Sequence, residues 1–156
     1  MRPQAGEPAP DFELQTDEGS TVRLADFRGK RIVLFFYPRA DTPGCIKEAC
    51  GFRDDYLAFL GQDVVVLGIS PDTVRAQRQF RERYSFPYPL LADADHRVAE
   101  AYGVWEGKKL FGISYKGVAR TTFLIDQQGK IRRVYEGVVP DGHSREILAE
   151  LQLARP

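Results

Sequence analysis

The chain predicts an α/β fold, a three-layer sandwich around a central mixed β-sheet, and three observations carry that prediction. Residues 32–37 are an unbroken run of β-branched, aliphatic and aromatic residues and 64–69 a second such run interrupted only by Gly68, the pattern of strands buried on both faces. Each run is followed by a helix start signal and a helical pattern, the alternation that makes parallel units. Residues 118–125 and 130–136 are two more strand patterns joined around Gln127-Gln-Gly129, which reads as an antiparallel hairpin.

The elements follow in order. The first ten residues hold three prolines and read as an extended arm. Asp11-Phe-Glu-Leu and Thr21-Val-Arg-Leu alternate in polarity around Asp17-Glu-Gly-Ser, an N-terminal β-hairpin. Pro38 stops the strand at 32–37, because proline cannot donate to a sheet ladder. Thr42 then reads as a helix N-cap, with Pro43 at the first helical position. This helix is expected to run to about Leu60. Ala49, Phe52, Tyr56 and Phe59 recur from Cys45 at helical spacing and form its inward face.

After the strand at 64–69, Ser70 and Pro71 read as the cap and first residue of a helix reaching about Tyr84. Its Arg75, Arg78, Arg81 and Arg83 read as a solvated face beside Glu82. Residues 86–93 contain two prolines and read as a short strand at a sheet edge, or one paired only at one end. Residues 94–102 read as a short helix ended by Gly103, and 104–117 as a loop with one irregular strand at most. Asp141-Gly-His-Ser opens a last helix to Leu153, with Ile147, Leu148 and Leu151 facing the core. There is no internal repeat.

The 156 residues suit one domain over 1–156. Basic and acidic residues balance at 22 each, so nothing global attracts nucleic acid or an anionic membrane. No stretch approaches the length of a membrane span, and the first ten residues lack a signal peptide's apolar core. The expected address is therefore the cytoplasm, where two cysteines are more often catalytic or redox-active than a structural staple.

Cys45 falls in the first turn of its helix, where unpaired N–H groups and the helix dipole favour an anion, and the thiolate is a cysteine's reactive form. Cys50 lies five residues on. In a helix, residues so spaced have Cα atoms roughly 8.6 Å apart and ~140° round the axis. A disulfide needs about 7 Å or less, so the two can bridge only if the first turns unwind. That makes the pair a candidate for a cycle in which one thiolate reacts in the folded state and the other arrives by local unfolding. The bland reading, two buried cysteines acting as small apolar residues, stays open for Cys50.

There is no Cys-x-x-Cys motif, no zinc spacing with His96 and His143, no Walker loop and no dinucleotide fingerprint. A Cys-His hydrolase remains a rival, although both histidines sit in polar stretches typical of surface residues. Arg120 reads as part of the strand 118–125, either paired with an anion or discouraging edge association.

Pro38-Arg-Ala-Asp-Thr42-Pro-Gly-Cys45 resembles the Pro-x-x-x-Thr/Ser-x-x-Cys signature of the peroxiredoxins. Phe36-Tyr37, Glu48-Ala-Cys50, Arg120-Thr-Thr-Phe and Ala101-Tyr-Gly-Val-Trp105 look like the bacterioferritin-comigratory, or peroxiredoxin Q, branch. The likeness extends over residues 6–151; Ile46 departs from a threonine common there. The resemblance implies a thioredoxin-like fold with an N-terminal hairpin extension and a thiol peroxidase acting on hydrogen peroxide or alkyl hydroperoxides. It implies Cys45 as the peroxidatic cysteine, Cys50 as the resolving one through an intramolecular disulfide, and recycling by thioredoxin or glutaredoxin. Thr42 and the Cys45 N–H would hold the peroxide, Arg120 would stabilise the thiolate and the leaving oxygen, and Pro38 would shield the sulfur. No metal or organic cofactor is implied, and a monomer or weak dimer is expected. An external resolving thiol and a redox-sensing or holdase module are the competing readings.

Overall fold

Alternation along strand β3 (Arg31–Phe36) decides how the molecule is layered. A computed structural model describes residues 2–153 of the chain. Ile32, Leu34 and Phe36 face one core, with Phe12, Leu24, Tyr102 and Phe123. Val33, Phe35 and Tyr37 face the other, with Cys45, Phe52, Phe59 and Phe80. A strand with both faces covered has no polar side to offer, which is why its sequence is continuously apolar.

Seven strands form the sheet: β1 (Glu13–Thr16), β2 (Thr21–Arg23), β3, β4 (Val64–Ser70), β5 (Leu90–Ala92), β8 (Thr121–Ile125) and β9 (Ile131–Tyr135), in the order β2-β1-β5-β4-β3-β8-β9. β3, β4 and β5 run parallel, and the others pair antiparallel. The mixed sheet and the N-terminal hairpin are as expected. Gly68, at the centre of β4, leaves room for its neighbours: a Cβ there would stand 2.8 Å from both Phe35 and Leu90 side chains. α1 (Pro43–Asp54), α2 (Tyr56–Gly61), α3 (Val74–Tyr84) and α5 (His143–Leu153) have side chains in or against the second core. α4 (Arg97–Ala101) lies on the first. The N-terminal arm runs beside β9, where the Gly6 N–H donates to the Ile131 carbonyl (2.7 Å) and the Ile131 N–H to that of Glu7 (2.8 Å), pairing part of the edge.

Several expectations are corrected. The helix expected to reach Leu60 is two, interrupted at Asp55, whose carboxylate accepts from Ser144. Ser70 does not open a helix: it ends β4 and donates to Asp72, and α3 begins after Thr73, which caps the Ala76 N–H. Of the two readings of β5, the edge strand is wrong and the strand paired at one end is right. Its prolines precede the paired residues, leaving Leu90–Ala92 free to bridge β4 and β1. The α3 arginines do form a largely exposed face, with Arg75, Arg78 and Arg83 exposed and Arg81 half-buried, but three of them are also paired. Arg78 donates to the Asp17 carbonyl, Arg81 to the Asp17 carboxylate and Arg83 to that of Asp41. The expected loop at 104–117 is a regular hairpin, β6 (Trp105–Leu110) with β7 (Ile113–Val118), outside the main sheet. Arg120 is accordingly not in a strand but in the two-residue step from β7 to β8. Among the described residues, no helix is long and apolar enough to cross a membrane.

Candidate active site

The carboxyl end of β3 and the amino end of β8 lie together, since Phe36 pairs with Thr121. This places the loop after β3 beside Arg120. The loop is tied at several points. The Tyr37 N–H donates to the Ile69 carbonyl and its hydroxyl to Gln77 (2.6 Å). The Ala40 N–H donates to Asp72, and Asp41, held at φ 61°, accepts from Arg83 and Tyr84. Pro38 is half-buried at its start.

Thr42 takes the N-cap position, but its hydroxyl does not cap the helix. It donates instead to the Arg39 carbonyl (2.8 Å), leaving its lone pairs available as acceptors. The first intrahelical bond runs from the Ile46 N–H to the Thr42 carbonyl (2.8 Å). The N–H groups of Gly44 and Cys45 therefore stand outside the helical ladder, at the positive end of the dipole.

Cys45 is 1% exposed, and its Sγ lies 3.5 Å from the Arg120 Nη2. Arg120 reaches the other way with Nη1, 2.7 Å from the Glu48 Oε1. Sulfur, guanidinium and carboxylate thus form one chain across the site. Burial pulls the Arg120 pKa down, but the charge and hydrogen-bond contacts with Glu48 and Cys45 outweigh it and the net shift is upward. On Glu48 the balance is the reverse: burial pushes the carboxyl up to about 7 despite Arg120. The difference has a structural cause. The Arg120 side chain keeps 18% exposure and has two partners, whereas the Glu48 side chain is wholly enclosed and its Oε2 has no hydrogen-bond partner among the described residues. Gly44 lets the guanidinium approach, since a Cβ there would meet Nη2 at 3.0 Å. Lys108, from β6, is half-buried; burial lowers its pKa, and Arg120 lowers it further while Glu106 and Cys45 oppose.

Of the residues singled out from sequence, the structure thus brings Cys45, Thr42 and Arg120 to one place, with Pro38 on the loop between β3 and α1. Glu48 carries no role in the sequence reading beyond its place in the Glu48-Ala-Cys50 motif. Its signal was available, a charge three residues from Cys45 on the inward face of the helix. Lys108 gave none, because its hairpin was not recognised.

Cys50 is partly exposed and lines a cavity of about 490 Å³ with Pro43, Ile46, Lys47 and Ser144. Burial raises its thiol pKa. Both cysteines are free thiols in an intact α1, so the helical separation of roughly 8.6 Å applies. Holding that helix are the Tyr88 hydroxyl, which donates to the Ala49 carbonyl (2.6 Å), and Arg53, which donates to that of Tyr84 (2.8 Å).

Neither histidine hydrogen-bonds Cys45 among the described residues, as a Cys-His pair would require. His143, expected at the surface, is buried, with Nε2 on the Thr122 hydroxyl (2.8 Å) and Nδ1 on Glu146 (2.9 Å). His96 stacks on Trp105 with ring centroids 4.0 Å apart. Among the described residues no cluster of three or more His, Cys, Asp or Glu could hold a metal ion.

Comparison with known proteins gives consistent likenesses. A family model described as the AhpC/TSA family matches residues 5–134. The chain is 50% identical to a putative peroxiredoxin bcp of Coxiella burnetii over 151 residues, covering 97% of this chain and 100% of that one. It is 45% identical to the peroxiredoxin Bcp of Bacillus subtilis over 152 residues, 97% of each. Among solved structures, peroxidoxin BcpB of Mycobacterium tuberculosis superposes with a TM-score of 0.89 at 41% identity, covering 99% of this chain and 100% of that one. Peroxiredoxin Q of Xanthomonas campestris does so at 0.90 and 29%, covering 96% and 98%. The expected thioredoxin-like α/β fold agrees with these neighbours.

Proposed function

The chain belongs to the AhpC/TSA family, in its Bcp or peroxiredoxin Q branch, and from that premise we propose that Cys45 is the peroxidatic cysteine of a thiol-dependent peroxidase resolved by Cys50. The observation that carries the proposal is the 3.5 Å approach of Arg120 to a sulfur held in the first turn of α1. The Cys45 thiolate attacks one peroxide oxygen; the S–O bond forms as the O–O bond breaks, leaving a sulfenic acid and an alkoxide or hydroxide. That leaving oxygen takes a proton and departs as alcohol or water. Arg120 and the Cys45 N–H oppose the charge developing on it, and the Thr42 hydroxyl accepts from the peroxide O–H. Pro38 limits water at the sulfur.

The Cys50 thiol then condenses with the sulfenic acid, releasing water and forming a disulfide. The separation of the two in α1 requires its first turns to unwind, breaking the Glu48–Arg120 and Tyr88–Ala49 contacts. A dithiol reductant of the thioredoxin or glutaredoxin type restores both thiols, and we place the protein in the cytoplasm. Single substitutions test the assignment. Cys45→Ser should abolish peroxide consumption. Cys50→Ser should still consume one equivalent of peroxide but lose turnover with a thioredoxin system. Undiminished turnover in Cys50→Ser would instead assign resolution to an external thiol.

A further inference from the structure

The β6–β7 hairpin stands outside the seven-stranded sheet, and its two faces differ in kind. Cross-strand register places Leu110 opposite Ile113 and Lys108 opposite Tyr115 on one face, and Lys109 opposite Ser114 and Gly107 opposite Lys116 on the other. On the first face Leu110, Ile113 and Tyr115 are 54%, 68% and 45% exposed. On the second, Lys109 and Lys116 are exposed. No acidic residue occurs from 107 to 117, so the chain's overall neutrality does not hold locally.

The apex is unusual. Phe111 and Gly112 close the two-residue turn with φ of 51° and 78°, a geometry normally given to Asn-Gly or Asp-Gly. An aromatic L-residue is disfavoured in the left-handed region. Phe111 is also 94% exposed, so little packing within the chain offsets that strain. A strained aromatic held outward among apolar neighbours is the mark of a surface with an external partner.

We propose that this hairpin is an interfacial anchor for an anionic lipid bilayer: Leu110, Phe111, Ile113 and Tyr115 enter the headgroup layer while Lys109 and Lys116 stay at the phosphates. Charge and shape both select that partner. Exposed lysines are drawn to an acidic leaflet, and a projecting apolar tip needs only the shallow insertion an interface offers. A tyrosine at the edge of the apolar patch suits headgroup depth. Four side chains on a projecting tip are too few for a standard protein interface, which takes about 800 Å² from each partner. β7 ends two residues before Arg120, so anchoring brings the Cys45 site near the lipid surface.

The test is flotation of the full-length reduced protein with large unilamellar vesicles of phosphatidylcholine, alone or mixed with phosphatidylglycerol. It reads binding without turnover, so its outcome is separate from that of the peroxidase reading. The protein should float with the anionic vesicles only, and less as salt rises. Phe111→Ser should weaken binding at least ~10-fold, and Lys109→Ser with Lys116→Ser by ~30-fold. All three positions are exposed, and circular dichroism should show an unchanged fold. Equal binding to neutral vesicles, no binding to either, or undiminished binding by Phe111→Ser would overturn the proposal. So would a dimer in sedimentation velocity that depends on Phe111 and forms without lipid.

Discussion

Replacing Glu48 by glutamine isolates the electrostatics of the site. The carboxylate is wholly enclosed, Oε1 is 2.7 Å from the Arg120 Nη1, and Oε2 has no hydrogen-bond partner among the described residues. Burial raises the group from its ordinary 4.5 to about 7. Each unit of such a shift is worth about 1.4 kcal/mol, so keeping the charge inside costs about 3 kcal/mol once the group is ionised. The sign follows from linkage. A carboxyl raised in the folded state contributes its stability in full below the unfolded pKa, near 4.5, and loses it as pH rises through about 7. Glutamine keeps the shape and the acceptor for Arg120 but cannot titrate. Urea unfolding at pH 5 and pH 8 should therefore find Glu48→Gln gaining on the parent by up to about 3 kcal/mol at the higher pH. Because Arg120 also touches Cys45, the parent's rate with peroxide should inflect near pH 7 and the variant's should not. A stability difference that stays constant with pH, or grows against the variant, would mean that the ion pair outweighs the desolvation and would refute the reasoning.

Other consequences can be measured on single variants. Gly44→Ala places a Cβ 3.0 Å from the Arg120 Nη2; the rate with peroxide should fall ~10- to 100-fold, as misplacement of a reacting group does, with little change in urea midpoint. Burial depresses the His143 pKa, so its contribution to stability is present above about 6.5 and lost as pH falls through the lower folded value. His143→Gln should flatten the acid side of the stability profile, opposite in sign to Glu48. Unwinding of α1 releases Cys50 from the burial that raises its thiol, so after rapid mixing with peroxide the disulfide-forming step should accelerate from pH 7 to pH 9 as the thiolate fraction of an ordinary thiol, with a pKa of about 8.5, rises.

The parts legible in sequence were those with local causes. The runs that became β3 and β4, Pro43 at the start of α1, and Cys45 in that first turn are each specified by adjacent residues. What escaped depended on distant partners. Arg120 meets Cys45 across 75 positions, a contact that the family resemblance implies and spacing alone leaves open, and the α3 arginines bind Asp17 and Asp41 from elsewhere in the chain. His143 is buried by Phe52 and Tyr135 around it, not by its polar neighbours in sequence. Ser70 looked like a cap because its other use, donating to Asp72, needs the strand end in place. The β6–β7 hairpin escaped for another reason: Ile113-Ser114-Tyr115-Lys116 alternates, but Lys108-Lys109 and Leu110-Phe111 break the alternation before it, and a turn built on Phe111-Gly112 lacks the usual Asn-Gly or Asp-Gly signal.

The most direct test of the central claim is one equivalent of hydrogen peroxide added to the reduced protein, followed by blocking of free thiols and mass mapping of the cysteines. The account predicts loss of two hydrogens and a peptide pair joined through Cys45 and Cys50, which α1 can form only by unwinding. Two blocked, unreacted thiols would contradict it, showing that Arg120 beside a buried sulfur is not enough to make this site react.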